Sequence, residues 1–81
     1  MRIDLFLKNS RIIKRRTVAK SACQGGRVLV NGKEVKPSYE VEEGDIIEVK
    51  FGTSSPRLRV KEIIENARKD NQDKMVELLE D

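Results

Sequence analysis

The sequence predicts an α+β fold: two short packed helices against a small, mostly antiparallel twisted sheet, with a short C-terminal helix. Three observations predict it. Apolar Val18, Ala19, Ala22 and Cys23 fall on one helical face and stop at Gly25-Gly26. Asn31-Gly32 separates two short β runs, and both residues tolerate the positive φ of a tight type I′ hairpin turn. A second turn, Glu43-Gly44-Asp45, leads into Ile46-Ile47-Glu48-Val49-Lys50-Phe51, the strongest strand pattern in the chain.

Each element follows in order. Arg2 to Asn9 reads as a short helix with Ile3, Leu5, Phe6 and Leu7 apolar, and Asp4 and Lys8 stand four apart in the favourable acid-first order. Alone it is marginal in water, so packing must hold it. Residues 10–16 form a linker dense in charge, with Ile12 and Ile13 expected inside. Thr17 stands at the N-cap position of the next helix. Val28-Leu29-Val30 and Lys33-Glu34-Val35 are the arms of the hairpin, and Pro37 ends the pairing.

Beyond the strand at 46–51, residues 52–56 are a loop. Leu58, Val60 and Ile64 then alternate with charge as a strand does, while Val60, Ile63, Ile64 and Ala67 equally fit a helical stripe. A strand near 57–62 is preferred. A short helix from about Asp73 is expected to carry Met75, Val76, Leu78 and Leu79 on its apolar face.

The chain has 81 residues, which bounds the answer to one small domain with a thin core. Such a core supplies only about 3–5 kcal/mol of net stability. One cysteine, Cys23, excludes an internal disulfide, and the absence of histidine removes the common zinc patterns and the usual general base. There is no membrane-length apolar stretch and no signal-peptide pattern, so a cytoplasmic setting is expected.

The net charge of +3 hides a strong asymmetry. Residues 1–36 hold ten Lys or Arg against Asp4 and Glu34, ten less two leaving +8. By the same count residues 37–60 come to −2 and residues 61–81 to −3. A concentrated, arginine-rich excess is the footprint of a polyanion partner, whereas scattered surface lysines would serve solubility alone. Arg11, Lys14, Arg15, Arg16 and Lys20 lie within ten positions. Across a linker and one helical face they make a patch about 10 Å long.

Duplex RNA suits such a patch, because its deep major groove is closed to side chains and it is read by shape, 2′-hydroxyls and backbone charge. The planar arginine fork can hold two phosphate oxygens at once. Aromatic residues are few, which favours folded RNA over flexible single strands. Phe6 and Phe51 are expected in the core, and Tyr39 has no clear role. Gly25-Gly26 lacks the surroundings of a phosphate loop and reads as a helix cap. Cys23 reads as a buried spectator thiol. Glu40, Glu42, Glu43 and Asp45 miss calcium-loop spacing and read as solvated surface. The acidic tail is as easily an exposed helix as a partner surface.

Five fragments in order carry a resemblance: Arg2-Ile3-Asp4-Leu5-Phe6-Leu7, Arg15-Arg16-Thr17-Val18-Ala19, Gly26-Arg27-Val28-Leu29-Val30-Asn31-Gly32, Lys36-Pro37 and Gly44-Asp45. Together they resemble the alpha-L RNA-binding module first described in a ribosomal small-subunit protein. The likeness covers residues 1–52, leaving 53–81 as a C-terminal extension, strand plus short helix, packed on the same domain. It implies RNA contacts at Arg2, Lys8, Arg11, Arg15, Arg16, Lys20, Arg27 and Asn31, with Asp4 orienting nearby arginines and Gly32 shaping the turn. The charge excess adds Lys14 and Lys36.

Stand-alone chains of this size resemble the ribosome-quality-control factor RqcP and heat-shock protein fifteen family. That likeness implies a non-catalytic factor on the large ribosomal subunit, contacting its ribosomal RNA and a tRNA. It implies support for a nascent-chain tailing protein on stalled peptidyl-tRNA. No metal, cofactor or membrane is expected. The alternative is a tRNA-binding or chaperone-like module acting off the ribosome.

Overall fold

A computed structural model describes residues 1–68 and 71–79. Two helices, α1 (Ile3–Asn9) and α2 (Arg16–Gln24), precede a hairpin of β1 (Val28–Val30) and β2 (Lys33–Glu34). Then come β3 (Ile46–Val49), β4 (Arg57–Val60), a single helical turn α3 (Gln72–Met75) and β5 (Val76–Leu79). The five strands form one sheet in the order β2-β1-β3-β4-β5, and every neighbouring pair is antiparallel.

The helices lie on one face of the sheet. Strand alternation sends Val28, Val30, Ile47, Val49, Leu58, Val60 and Val76 toward them, and all seven are buried. Ile3, Phe6 and Leu7 of α1 meet Ala19, Ala22 and Cys23 of α2 in the same cluster. The small side chains on α2 let the two helices approach closely. The opposite face of the sheet carries exposed Arg57, Arg59 and Glu77.

Turn chemistry behaves as the residues demand. Asn31 (φ 52°) and Gly32 (φ 84°) form the two-residue turn, which sets Val30 opposite Lys33. At the end of α2, Gly26 (φ 72°) donates to the Cys23 carbonyl at 3.1 Å, and the Arg27 N–H reaches the Ala22 carbonyl at 2.9 Å. This is the Schellman arrangement, which satisfies two otherwise orphaned carbonyls. The positive φ is what calls for glycine there; an added Cβ would also come 2.5 Å from Glu34 Oε1, the far end of an exposed side chain that can swing aside.

Several expectations are corrected. The α2 helix begins at Arg16, with Arg15 as its cap residue and no side-chain cap bond, so Thr17 lies within the first turn. Val18 is 50% exposed, because the buried stripe needs only Ala19, Ala22 and Cys23. Phe51 is 43% exposed; β3 stops at Val49 and the chain turns before the ring can fold back. The return strand β2 ends at Glu34, leaving Val35 partly buried outside it.

The C-terminal helix is one turn, Gln72–Met75, and Val76, Leu78 and Leu79 belong to β5 instead. Val76 pairs with Val60 and Leu78 with Leu58 on the β4 edge. Asp45 is also unlike solvated surface. It is buried and accepts bonds from Asn31 Nδ2 (3.2 Å), Tyr39 Oη (3.4 Å) and the Glu42 N–H (2.9 Å).

Candidate nucleic-acid interface

The centre of the basic face is a buried acid. Asp4 lies in the first turn of α1 and is only 1% exposed. A buried charge needs partners. Asp4 accepts the Leu5 N–H at 2.7 Å and Arg2 Nη2 at 3.2 Å, and Arg16 Nη2 stands 3.5 Å from its other oxygen. Both arginine side chains remain close to half exposed, at 44% and 47%. One carboxylate thus holds two arginines, one at the start of each helix, and leaves both side chains partly in solvent.

The first turn of α1 is satisfied from across the chain. The Ile3 N–H donates to the Tyr39 carbonyl at 2.7 Å, and the Asp4 N–H to the Pro37 carbonyl at 3.3 Å. These bonds replace a side-chain cap and fix where Arg2 and Asp4 sit. At the other end, Asn9 Nδ2 donates to the Glu65 carbonyl at 3.0 Å, so the C-terminal extension braces α1.

The predicted contact residues gather in groups. Arg2, Arg16 and Lys20 line one cleft of about 240 Å³ with Asp4 and Thr17. Lys8, Arg11 and Lys14 line a second, about 160 Å³, with Asn9 and Ala67. The clefts lie at the two ends of α1, and Arg2 and Lys8 are separated along it by about 9 Å. Arg15 is exposed in extended backbone just before α2. Arg16 and Lys20 are like charges four apart, an arrangement that costs a helix about 0.2–0.5 kcal/mol. Among the described residues Lys8, Arg11, Lys14, Arg15 and Lys20 form no ion pair. The cations are therefore available rather than neutralised within the fold.

The remaining three stand elsewhere. Lys36 and Asn31 line a groove of about 720 Å³ beside β2, together with Lys33, Glu34 and Tyr39. Asn31 is largely occupied: its Oδ1 accepts the Ile46 N–H at 3.1 Å while Nδ2 holds Asp45, so it ties the hairpin to β3. Arg27 lies beyond the C-terminal end of α2, away from the Asp4 cleft.

Arg11 carries a feature that no sequence pattern announced. Its φ is 64°, in the left-handed region that non-glycine residues rarely enter. The strain turns the chain out of α1 and points a cation into the second cleft. Arg11→Gly is expected to raise stability by about 0.5–1 kcal/mol while weakening RNA binding. Thermal melts and filter binding of the same variant check both signs.

Cys23 is a buried thiol whose pKa is pushed up from 9.0 to about 11, first by burial and then by the negative charge of Asp4. The neutral thiol is the native form. Its contribution to stability is complete below pH 9.0 and is lost as pH rises toward about 11. Ellman's reagent at pH 8 should label the folded protein far more slowly than the denatured chain.

Among the described residues no group of three His, Cys, Asp or Glu could hold a metal ion, and no helix is long and apolar enough to cross a membrane.

A family model for the S4 domain matches residues 1–47. Over all 81 residues the chain is 41% identical to the RQC P-site tRNA stabilizing factor of Listeria innocua, spanning 88% of that protein. It is 40% identical to the factor of the same name in Bacillus subtilis, spanning 94% of it. The trimeric structure of Vibrio cholerae heat shock protein 15 has the same fold, with a TM-score of 0.90 at 28% identity. That likeness covers 98% of this chain and 81% of the other.

Proposed function

The chain belongs to the S4-domain family and to that of the RQC P-site tRNA stabilizing factors, and from that premise we propose that it is a non-catalytic RNA-binding factor of ribosome quality control. It docks on a helix of large-subunit ribosomal RNA and holds the neighbouring tRNA in the P site. By keeping that tRNA in place on a stalled subunit, it supports C-terminal tailing of the nascent chain by a partner protein. Its work is done in the cytoplasm.

The observation that carries this reading is the Asp4 cleft. Two half-exposed arginines, at the starts of different helices, share one buried carboxylate, with Lys20 alongside and unpaired cations flanking them. Preset guanidinium forks recognise phosphate oxygens with little further ordering cost. Six or more such contacts give affinity that falls by roughly 10³–10⁵ between 50 and 200 mM salt.

The test is co-sedimentation at about 150 mM salt, near physiological ionic strength. The protein should pellet with large subunits, not small ones, and more so when a tRNA fills the P site. Tighter binding to free tRNA than to large subunits would place it off the ribosome and overturn the proposal.

A further inference from the structure

Arg27 and Lys50 come from facing backbone positions. They lie one step beyond the Val28–Val49 pair of β1 and β3, and the Lys50 N–H donates to the Arg27 carbonyl at 2.8 Å. Like charges so placed disfavour strand pairing. Among the described residues neither has an ion-pair partner.

Phe51 follows immediately. Reciprocal backbone bonds with Ser54, at 2.7 and 2.8 Å, close a tight turn through Gly52 (φ 50°). The turn holds the ring 43% exposed at the end of the sheet. Arg27, Lys50, Phe51 and Gly52 line an open cleft of about 630 Å³ with no carboxylate in it. Nothing lies within 4 Å of where a Gly52 Cβ would be, so the Gly52 side of the cleft is open. The larger groove beside β2 is a weaker anion site, since it carries Glu34 and its Tyr39 hydroxyl is bonded to Asp45.

We propose that Arg27, Lys50 and Phe51 form a second RNA-contact site that takes an unpaired nucleotide, its base stacked on Phe51 and its phosphate between the two cations. The proposal rests on the RNA-binding reading given above and adds a site to it. The chemistry favours an unpaired nucleotide because bases within a duplex already stack on one another and offer no face to a ring. A guanidinium and an ammonium beside an aromatic serve a nucleotide at both of its ends. The Asp4 cleft includes Arg16 at the start of α2, and the new site lies past its C-terminal end; the nine residues of the helix span about 13 Å. One protein can thus hold a duplex at one end and a loop nucleotide at the other.

The chain has no tryptophan, so Phe51→Trp supplies a single fluorescent reporter at an exposed position. Its emission should be quenched saturably by an adenylate hexamer, and not by inorganic polyphosphate of equal charge. Phe51→Leu should weaken hexamer binding about tenfold with an unchanged salt slope, and Arg27→Gln should weaken it and lower the slope. Circular dichroism melts confirm that these variants fold.

Unquenched emission, or a Phe51→Leu protein that binds the hexamer as the parent does, overturns the second site. Emission that responds to large subunits but to no RNA oligonucleotide marks a protein contact and overturns it as well. Co-sedimentation of the Arg2→Ala/Arg16→Ala protein is read in parallel. Its loss with an inert Phe51 leaves the functional reading standing while the second site falls.

Discussion

Replacing Arg2 and Arg16 together by alanine is expected to lower affinity for large subunits at least a hundredfold. Hydrogen bonds to charged groups contribute about 1.5–3 kcal/mol each, and both forks are lost. Stability should fall as well, by roughly 1–3 kcal/mol, because buried Asp4 keeps only the Leu5 N–H. The two effects separate in one further variant. Asp4→Asn in the same background removes the stranded charge and should recover much of the melting temperature while affinity stays low. Recovery of affinity along with stability would mean that the arginines act by holding the fold and not by touching RNA.

Leu58→Ala is expected to have the largest effect on folding. Leu58 is fully buried in β4, against Ile47 of β3 and beside β5. Truncating a buried leucine costs about 2–5 kcal/mol, comparable with the whole net stability of about 3–5 kcal/mol for a chain this short. The protein should therefore be largely unfolded at 37 °C. Arg59→Ala, one residue along, removes only a half-exposed pair with Glu77 at 2.8 Å and should cost under about 1 kcal/mol. Thermal melts of the two proteins decide it. Equal melting temperatures would mean that the strands beyond residue 52 are an appendage and not part of the core.

Local chemistry made much of this fold readable. Asn31-Gly32, Gly25-Gly26 and Glu43-Gly44-Asp45 each require a backbone geometry that few residues supply, so they mark turns without tertiary help. Alternation of Leu58 and Val60 with Arg57 and Arg59 favours a strand over the competing helical stripe, and a strand forms at Arg57–Val60. Residues 75–79 misled because Met75, Val76, Leu78 and Leu79 fit a helical stripe as well as they fit a strand. The deciding factor is the open edge of β4, which no local pattern reveals. Phe51 and Asp45 misled for a related reason. An aromatic is ordinarily inside and an acid outside, and only the paths of distant segments reverse those preferences here.

The site was legible as charge but not as geometry. Composition nominated the cations, and resemblance assigned Asp4 to the arginines. Neither could say that Lys36 and Asn31 share a groove apart from Arg2 and Arg16, or that Arg27 faces Lys50. Those separations follow from sheet order. The strain at Arg11 leaves no trace in the sequence either, because arginine is not a residue one expects at positive φ.

The borrowed carbonyls of Tyr39 and Pro37 have a consequence for how the protein matures. A chain interrupted after residue 36 already holds all ten cations of the basic segment. It lacks the acceptors that the Ile3 and Asp4 amides use, so its first helix has no anchored start. Anchoring of that first helix therefore waits on a loop-closing contact across more than thirty residues, made once Pro37 and Tyr39 are in place.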